Sequence, residues 1–417
     1  MRVVLLTGKG GVGKSTVAAG TAALAAARGG RTLVLSTDAA HSLADAYGAP
    51  VGTRPTEVAA GLHVLQVDTQ RRFEQSWAEV QRYLLSVLEV AGIEQVAAEE
   101  LTVLPGAEEV LALLELRRHA RSGEWDVIVV DCGPTAETLR LLALPEALGW
   151  YLARLAPAHH GMVRAVAPVI SRATGVPLPD GGVVDALLRL RTELDDVHEL
   201  LTGPGASVRL VLTPERVVVA EARRSWTSLS LFGYRVDGVV ANRVFPTAGA
   251  DDWRAGWVLA QDTVLAEVEE SFAGLPVWRS VYRAGEPVGV EALRALAEAA
   301  YAGDDPVGPV AGPAPFRVTT VDGGSVLHLA LPGARREQVE LARHGDDLVV
   351  TLRPGEDAVG GQVGSYRRLL TLPPALARQT VAGARVERGE LQVRFARPDA
   401  APGGSGSSEA RAGEGAR

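Results

Sequence analysis

Short apolar runs alternate with longer helix-like stretches over the first 300 residues. Apolar runs typical of strands buried on both faces lie at residues 3–7, 32–36, 62–67, 126–130, 208–213 and 236–241. After the first run, an alanine-rich stretch from Lys14 to Arg28 predicts a helix that Gly29 and Gly30 end. This order of elements predicts an α/β fold with a doubly wound parallel sheet.

Two of the connections are longer than a crossover between parallel strands requires. They predict helical insertions at about 70–123 and 146–205, which form a helical subdomain within a domain that spans 1–302. Apolar side chains recur at near-helical spacing around the second insertion, at Trp150, Tyr151, Leu152, Leu155, Met162, Val163, Val166, Val169 and Ile170. This spacing fits two interpretations, the packed core of the subdomain or an exposed client-binding groove.

The pattern changes to a period of two after residue 315. Residues 303–315 hold four prolines and three glycines, which predicts a linker. Alternating apolar positions at 316–321, 325–331, 347–352 and 390–395 then predict a small all-β sandwich over 316–396. Residues 397–417 are mostly small or charged, so we expect a disordered tail there.

Composition narrows the possible partners and the compartment. The 42 basic and 50 acidic residues leave a net charge of −8, which disfavours nucleic acid and anionic membrane surfaces. The longest charge-free run, residues 15–27, is too short to span a bilayer, and the first strand leads into a glycine-rich loop rather than a signal peptide. The single cysteine, Cys132, allows no disulfide or four-cysteine zinc site within one chain. We therefore expect a cytoplasmic protein with no nucleic-acid partner and no direct membrane span.

The glycine-rich loop at residues 8–15 reads Gly-Lys-Gly-Gly-Val-Gly-Lys-Ser and lies between the first predicted strand and helix. This is the P-loop pattern in the context that it requires. Its backbone N–H groups are expected to cradle the β-phosphate of ATP, with Lys14 reaching the β- and γ-phosphates and Ser15 binding Mg²⁺. The predicted nucleotide-binding residues here are Gly8, Lys9, Gly10, Gly11, Val12, Gly13, Lys14, Ser15 and Thr16.

The scarcity of lysine and asparagine singles out three positions. The chain has only two lysines, Lys9 and Lys14, and both lie in this loop. Their clustering indicates a chemical role for Lys9, with a solvated loop lysine as the alternative. The one asparagine, Asn242, ends the predicted strand at 236–241, at the edge where ligands bind in doubly wound sheets. Its amide can both donate to and accept from the edge of adenine, and a helix or turn cap is the alternative.

The extra lysine makes the loop resemble the deviant P-loop, Lys-Gly-Gly-x-Gly-Lys-Ser/Thr, of a group of ATPases. The group contains chromosome-partitioning and division-site ATPases, nitrogenase iron protein, and the arsenite-pump and tail-anchored-protein-targeting ATPases. Residues 36–45 resemble the first switch of the last branch, with Ala39 where that branch usually has proline. Residues 131–140 (Asp-Cys-Gly-Pro-Thr-Ala-Glu-Thr-Leu-Arg), followed by Leu144 and Pro145, resemble its second switch. The resemblance covers about residues 1–300.

This resemblance implies roles for residues in both switches. Asp38 would position or deprotonate the attacking water, and Asp131 would order Mg²⁺ through a water molecule, as phosphoryl transfer requires of carboxylates so placed. The implied switch residues are Asp38, His41, Asp131, Pro134 and Thr135.

The resemblance also implies a homodimer and a base-binding site. Lys9 would reach the nucleotide of the partner subunit, so the expected catalytic residues are Lys9, Lys14 and Asp38. Asn242 would read adenine, and Pro276 and Val277 would close over the base.

A second resemblance covers residues 316–395, which are similar to the α-crystallin domain of small heat-shock proteins. The motifs that carry it are Leu331-Pro332-Gly333, residues 366–374 (Tyr-Arg-Arg-Leu-Leu-Thr-Leu-Pro-Pro) and residues 385–393 (Arg-Val-Glu-Arg-Gly-Glu-Leu-Gln-Val). An ATPase of this branch with an appended domain of this type is the architecture that the two resemblances imply.

The resemblances favour one function and leave two alternatives. We expect a Mg-ATP-dependent homodimeric ATPase that couples hydrolysis to opening and closing of the helical subdomain around a client. A hydrophobic helix, a protein and a small amphipathic molecule are all possible clients. One alternative is a metalloid (arsenite) efflux pump-driving ATPase, although arsenite coordination needs several thiolates and the chain has one. The other is a nucleotide-locked, chaperone-like scaffold with little turnover.

Overall fold

The computed structural model describes residues 1–37, 42–67, 107–134, 181–310, 313–353 and 365–397. The chain divides into two compact units, Met1–Pro315 with Leu331–Gly333, and Phe316–Ala330 with Ala334–Arg417. The first unit is an α/β domain, and the second is built from antiparallel strands.

The first unit is organised around a sheet whose described strands run in the order β3-β4-β2-β5-β1-β6-β7-β8. Every neighbouring pair is parallel except β3 and β4. The central strand β1 is buried along its whole length, which explains its continuous apolar sequence. The strands are β1 (Arg2–Gly8), β2 (Thr32–Ser36), β3 (Thr56–Ala59), β4 (Leu62–Gln66), β5 (Val127–Pro134), β6 (Ala206–Leu212), β7 (Val236–Val244) and β8 (Val277–Val281).

Helices connect these strands, as the doubly wound prediction requires. The described helices are α1 (Lys14–Ala27), α2 (Ser42–Tyr47), α3 (Ala107–Arg121), α4 (Gly181–Thr202), α5 (Arg216–Leu231), α6 (Asp252–Ser271) and α7 (Val290–Tyr301). The predicted fold class, a doubly wound parallel sheet followed by an all-β region, is therefore confirmed.

Helix α1 is buried on nearly all sides because its side chains are small. Nine of its positions from Val17 to Ala25 are buried. A Cβ atom at Gly20 would lie 2.8 Å from the carbonyl oxygen of Leu293, so the backbones of α1 and α7 approach closely. This packing fixes the helix that follows the glycine-rich loop.

The predicted helical insertions fall partly outside the described residues. Helices α3 and α4 are the parts of them that lead into β5 and β6, and they contact each other. Arg117 on α3 and Asp196 on α4 form an ion pair between the two helices. Residues 68–106 and 135–180, which include the apolar positions from Trp150 to Ile170, lie outside the described part. The client-binding subdomain therefore stays a prediction.

Residues 304–308, which lie within the predicted linker, form long-range hydrogen bonds with the sheet domain. The indole N–H of Trp278 donates to the Asp304 carboxylate at 2.9 Å, and the Arg2 guanidinium donates to the Gly308 carbonyl at 3.2 Å. Pro306 is buried. Proline and glycine content indicated a flexible segment, but these long-range hydrogen bonds attach its first half to the sheet domain.

The second unit contains a four-stranded sheet in the order β14-β15-β10-β9 and a three-stranded sheet in the order β11-β12-β13, all antiparallel. Inward side chains such as Leu327, Leu329, Val350 and Val393 are fully buried. The strands are β9 (Phe316–Val321), β10 (Gly324–Ala330), β11 (Val339–His344), β12 (Asp347–Leu352), β13 (Tyr366–Thr371), β14 (Thr380–Glu387) and β15 (Glu390–Ala396), with a one-turn helix α8 (Pro374–Ala377). The predicted tail from residue 398 onward lies outside the described residues.

Candidate functional site

The glycine-rich loop lies where the carboxyl end of β1 meets the amino end of α1. Gly8, the last residue of β1, is in register with Pro134 at the end of β5, so the loop begins beside the predicted second switch. The loop then turns through residues 9–13 into α1. This is the strand–loop–helix arrangement that the sequence pattern predicts.

Two of the loop glycines are required by close approach of other groups. A Cβ atom at Gly8 would overlap the carbonyl oxygen of Val211 on β6, and one at Gly13 would overlap the amide nitrogen of Asn242. Gly11 and Gly13 also have left-handed backbone angles, with φ values of 82° and 92°. The loop conformation therefore depends on glycine at these positions.

The start of α1 has the features of an anion site. Its N-cap is Gly13, which supplies no side-chain hydrogen bond, and the first turn carries no acidic residue. Backbone N–H groups and the positive end of the helix dipole therefore remain for a ligand. Gly10 and Gly11 are exposed, and a Cβ atom at either would meet nothing within 4 Å. Phosphate oxygens fit this opening chemically.

The two lysines differ in their surroundings. Lys14 is only 7% exposed, and its ammonium donates a long hydrogen bond, 3.4 Å, to the backbone carbonyl of Lys9. The ammonium of Lys14 is thus held beneath the loop with further N–H groups to donate. Lys9 is partly exposed, as are Ser15 and Thr16 in the first turn of α1.

Asp131 is fully buried near the end of β5. It is in register with Leu6 of β1 and Ser36 of β2, so its position lies just below the loop and beside the first switch. The backbone N–H of Thr37 donates to the Asp131 carbonyl at 3.0 Å and links the ends of β2 and β5. Its two neighbouring strands thus hold the carboxylate close to the start of both predicted switches.

Tyr47 on α2 is buried and lies close enough to Asp131 for the two side chains to interact electrostatically. Burial, with a further contribution from the Asp131 carboxylate, raises the pKa of the Tyr47 hydroxyl above its ordinary value. The neutral hydroxyl donates to the Ala19 carbonyl of α1 at 2.8 Å. Asp38, His41 and Thr135 lie outside the described residues, so their predicted roles are carried forward as predictions.

Asn242 lies beside the loop at the carboxyl end of β7, as predicted. It is 7% exposed, and its Nδ2 donates to the Val12 carbonyl at 2.8 Å. This hydrogen bond joins Asn242 to the phosphate loop, so the side chain does not act as the cap of a helix or turn. The amide retains its Oδ1 acceptor and a second N–H donor.

Pro276 and Val277, which are predicted to close over the base, lie away from Asn242 in the structure. Val277, which begins β8, is in register with Val239, and the Pro276 carbonyl accepts a hydrogen bond from the Val239 N–H. Val239 precedes Asn242 by three residues, so this pair lies about 10 Å back along the strand direction. The register between β7 and β8 determines which end of β8 lies at the sheet edge that carries the phosphate loop. The local sequence does not reveal this register.

The other end of β8 meets that edge. Val281 is in register with Val244, and the Tyr282 N–H donates to the Val244 carbonyl at 2.7 Å. Tyr282 stacks on Phe245 with ring centroids 5.6 Å apart, and Trp257 lies 6.1 Å from Phe245. This cluster is not among the residues predicted from the sequence. A usable signal was the grouping of aromatic residues after Asn242 in a chain that is only 5% aromatic.

Comparison with known proteins decides the family. Residues 1–302 match the family model described as anion-transporting ATPase (ArsA ATPase), and residues 322–395 match the HSP20-like domain found in ArsA. The chain belongs to the ArsA ATPase family. It is therefore an ATP hydrolase, and the resemblance stated from the sequence motifs is confirmed.

Full-length relatives share both parts of this ArsA-family ATPase. An Aquifex aeolicus protein named "Putative arsenical pump-driving ATPase 1" is 31% identical over 404 residues, covering 94% of this chain and 99% of the relative. A Chlorobaculum tepidum protein with the same type of name is 34% identical over 380 residues, covering 90% and 91%. A Streptomyces coelicolor protein whose name states no function is 39% identical over 404 residues, covering 96% and 98%. Among the described residues, no helix is both long and apolar enough to cross a membrane.

Proposed function

We propose that this ATPase hydrolyses Mg-ATP as a homodimer and uses the hydrolysis cycle to open and close a helical subdomain around a client. One observation carries the nucleotide part of the proposal. The start of α1 has no side-chain cap and faces an opening bordered by Gly10 and Gly11. An anion with several oxygens, such as a triphosphate, matches this set of backbone donors.

The residues that would hold Mg²⁺ fit its preference for hard oxygen ligands. Ser15 would contribute its hydroxyl from the first turn of α1, and Asp131 would act through a water molecule from the end of β5. Mg²⁺ bound there would neutralise charge on the transferring phosphoryl group. Lys14 would add a positive charge at the β- and γ-phosphates.

The proposed mechanism assigns the remaining steps to Asp38 and Lys9. Asp38 would accept the proton of the attacking water or orient that water, and His41 would lie in the same switch. Lys9 would contact the nucleotide of the partner subunit, and its partial exposure supports such a role. ATP binding would thus favour a closed dimer.

Coupling to a client would begin at the ends of β2 and β5. The hydrogen bond between Thr37 and the Asp131 carbonyl joins these strands within the first residues of the two predicted switches. A displacement at the end of one of these strands would therefore displace the end of the other. The two predicted helical insertions lie before and after β5, so a change at the end of β5 would be transmitted to the proposed client-binding subdomain.

A metalloid pump-driving ATPase is the second candidate because relatives carry that name. Against it, Cys132 is the only cysteine and is fully buried. Arsenite binding through several thiolates would need residues that the chain lacks. A third candidate, the nucleotide-locked scaffold, differs from the first two in having little turnover.

Steady-state phosphate release separates the three candidates. We expect Mg²⁺-dependent turnover that EDTA abolishes, that arsenite leaves unchanged, and that Asp38→Asn reduces strongly. Stimulation by arsenite would favour the metalloid pump. ATP-dependent dimers with turnover no higher than that of the Asp38→Asn variant would favour the scaffold. Light scattering with and without ATP provides the dimer measurement.

A further inference from the structure

Asn242 connects two elements that are far apart in the chain. Its Nδ2 on β7 donates to the carbonyl of Val12, which is separated from it by 230 positions. Both residues are buried, with 7% and 3% of their surface exposed. A hydrogen bond between buried neutral groups is costly to leave unmade, because neither partner can turn to water instead. The contact therefore constrains the loop before any nucleotide binds.

The loop is shaped to admit this side chain. A Cβ atom at Gly13 would overlap the Asn242 amide nitrogen, so the residue after Val12 must lack a side chain. Gly13 also adopts φ 92°, which other residues rarely do. Glycine at this position thus meets two requirements, a left-handed turn and room for Asn242.

The backbone that follows Asn242 is itself held in place. Arg243 has φ 57°, a left-handed conformation that is uncommon outside glycine. Gln261 on α6 fixes this turn, since its Oε1 accepts from the Phe245 N–H at 2.8 Å and its Nε2 donates to the Arg243 carbonyl at 3.2 Å. The position of Asn242 is therefore determined by β7 and α6 and does not depend on a ligand.

We propose that Asn242 is a positioning residue of the phosphate loop, which it holds in its binding shape through the Val12 carbonyl. The proposal rests on the proposed nucleotide site and adds a role distinct from reading adenine. An asparagine can serve both purposes because its second N–H and its Oδ1 remain for the base. Loss of the side chain then affects the phosphate site even for a ligand with no base.

Hydrogen exchange of the nucleotide-free full-length protein tests the inference directly. In Asn242→Ala and in the near-isosteric, uncharged Asn242→Leu, which lacks the donor, we expect roughly fivefold faster exchange of amides from Val12 to Ala18, as the loss of one buried hydrogen bond predicts. Peptides from β4, residues 62–66, which lies in the same sheet but is separated from β1 by two strands, should exchange as in the wild type and so report an intact sheet domain. Tyr47→Phe is the matched control, because it removes a buried hydrogen bond to the Ala19 carbonyl and leaves the loop contact in place.

Unchanged exchange of the loop in both Asn242 variants would overturn the proposal. Equal acceleration in Tyr47→Phe would also overturn it, because the effect would then be general loosening around α1. The two Asn242 substitutions guard against a variant that merely unfolds, since Leu nearly preserves the side-chain volume and adds no buried charge.

Ligand competition provides a second readout that separates the two roles. Against a fluorescent ATP analogue, Asn242→Ala should lower the affinity for inorganic tripolyphosphate as well as the affinity for ATP. A loss confined to ATP would assign Asn242 to the base alone and contradict the proposal. Failure of the wild-type chain to bind ATP would overturn the proposed function, and the exchange measurement would still decide the role of Asn242.

Discussion

Near the amino edge of the parallel sheet, buried charges are paired with one another, whereas near the carboxyl edge charged and polar groups surround an opening. Arg209 donates to Asp237 at 2.8 and 3.1 Å and to the Tyr301 hydroxyl at 3.0 Å. Arg2 and Ser207 also donate to Asp237. At the carboxyl edge, Lys14 has one long hydrogen bond to its own loop. The two edges differ in how their charge is compensated, by other side chains at the amino edge and, as we propose, by a bound ligand at the carboxyl edge.

The pKa directions of the two arginines agree with a closed network. Burial alone would lower the pKa of Arg209, but Tyr301 and Asp237 outweigh it and raise that pKa above its ordinary value. Burial lowers the pKa of Arg2, and Asp237 offsets this only in part. Asp237 is therefore the acidic group on which both guanidinium groups depend.

The largest effect is expected at the amino edge. Asp237→Ala leaves Arg2 and Arg209 buried without their carboxylate, so it should lower the stability of the sheet domain by about 3–5 kcal/mol. Denaturant titration followed by tryptophan fluorescence measures this. Asp126→Ala is the control, since its ion pair with Arg31 is exposed and its loss should change stability little. Weaker ATP binding in Asp237→Ala without lower stability would contradict the distinction between the edges.

For the predicted switch residue Asp38 we expect the reverse, a loss of turnover without a loss of stability. Asp38→Asn should lower turnover by about 10²-fold, the usual scale for losing a water-activating group, with ATP affinity and stability preserved. Phosphate release and nucleotide titration on the same preparation give both quantities. Equal turnover in variant and wild type would remove Asp38 from this role.

Lys9→Arg should have a smaller effect that depends on a second chain. An arginine keeps the positive charge, but its guanidinium group is planar and larger than the compact ammonium group of lysine. Turnover should therefore fall by about tenfold, the scale of one lost charged hydrogen bond. Mixing Lys9→Ala chains with Asp38→Asn chains should then change activity non-additively. Activity that is the sum of the two separate preparations would argue against action across a dimer interface.

The smallest effect is expected where residues 304–308 join the amino edge. A chain that ends at residue 302 loses the hydrogen bonds of Trp278 with Asp304 and of Arg2 with Gly308, and a chain that ends at 310 keeps them. The shorter chain should be less stable by about 1 kcal/mol, because the two lost hydrogen bonds are only partly buried, while both chains bind ATP. Thermal melts of the two chains provide the test, and identical midpoints would show that this segment adds nothing.

The local sequence pattern predicted the strands and loops well. It failed where contacts between distant segments determine the extent or the register of a strand. The strand at Thr32–Ser36 has the predicted bounds, and the P-loop lies between β1 and α1 as expected. Strand β5 extends to Pro134, beyond its apolar run, because it continues to pair with β1. The position of Pro276 depended on the register of β8 with β7, which no local signal encodes.

The same distinction between local pattern and long-range contacts applies to the candidate site. The glycine pattern and the chain's two lysines identified the loop because all of them lie within one short segment. The hydrogen bond from Asn242 to Val12 and the support from Gln261 join residues that are distant in sequence. Base-reading chemistry was a reasonable expectation for an asparagine at this edge, but its contact with the loop required the fold.

The buried alanines of α1 also bear on how a saturation mutagenesis screen of this protein should be read. Positions such as Ala18, Ala19 and Ala22 are fully enclosed, and Gly20 lies against the backbone of α7. Larger side chains there would overpack the interior and typically cost about 1–3 kcal/mol. Such a screen should therefore deplete substitutions along α1 as strongly as in the loop before it. Depletion alone would then exaggerate the extent of the nucleotide site, and soluble yield measured beside activity would distinguish the two causes.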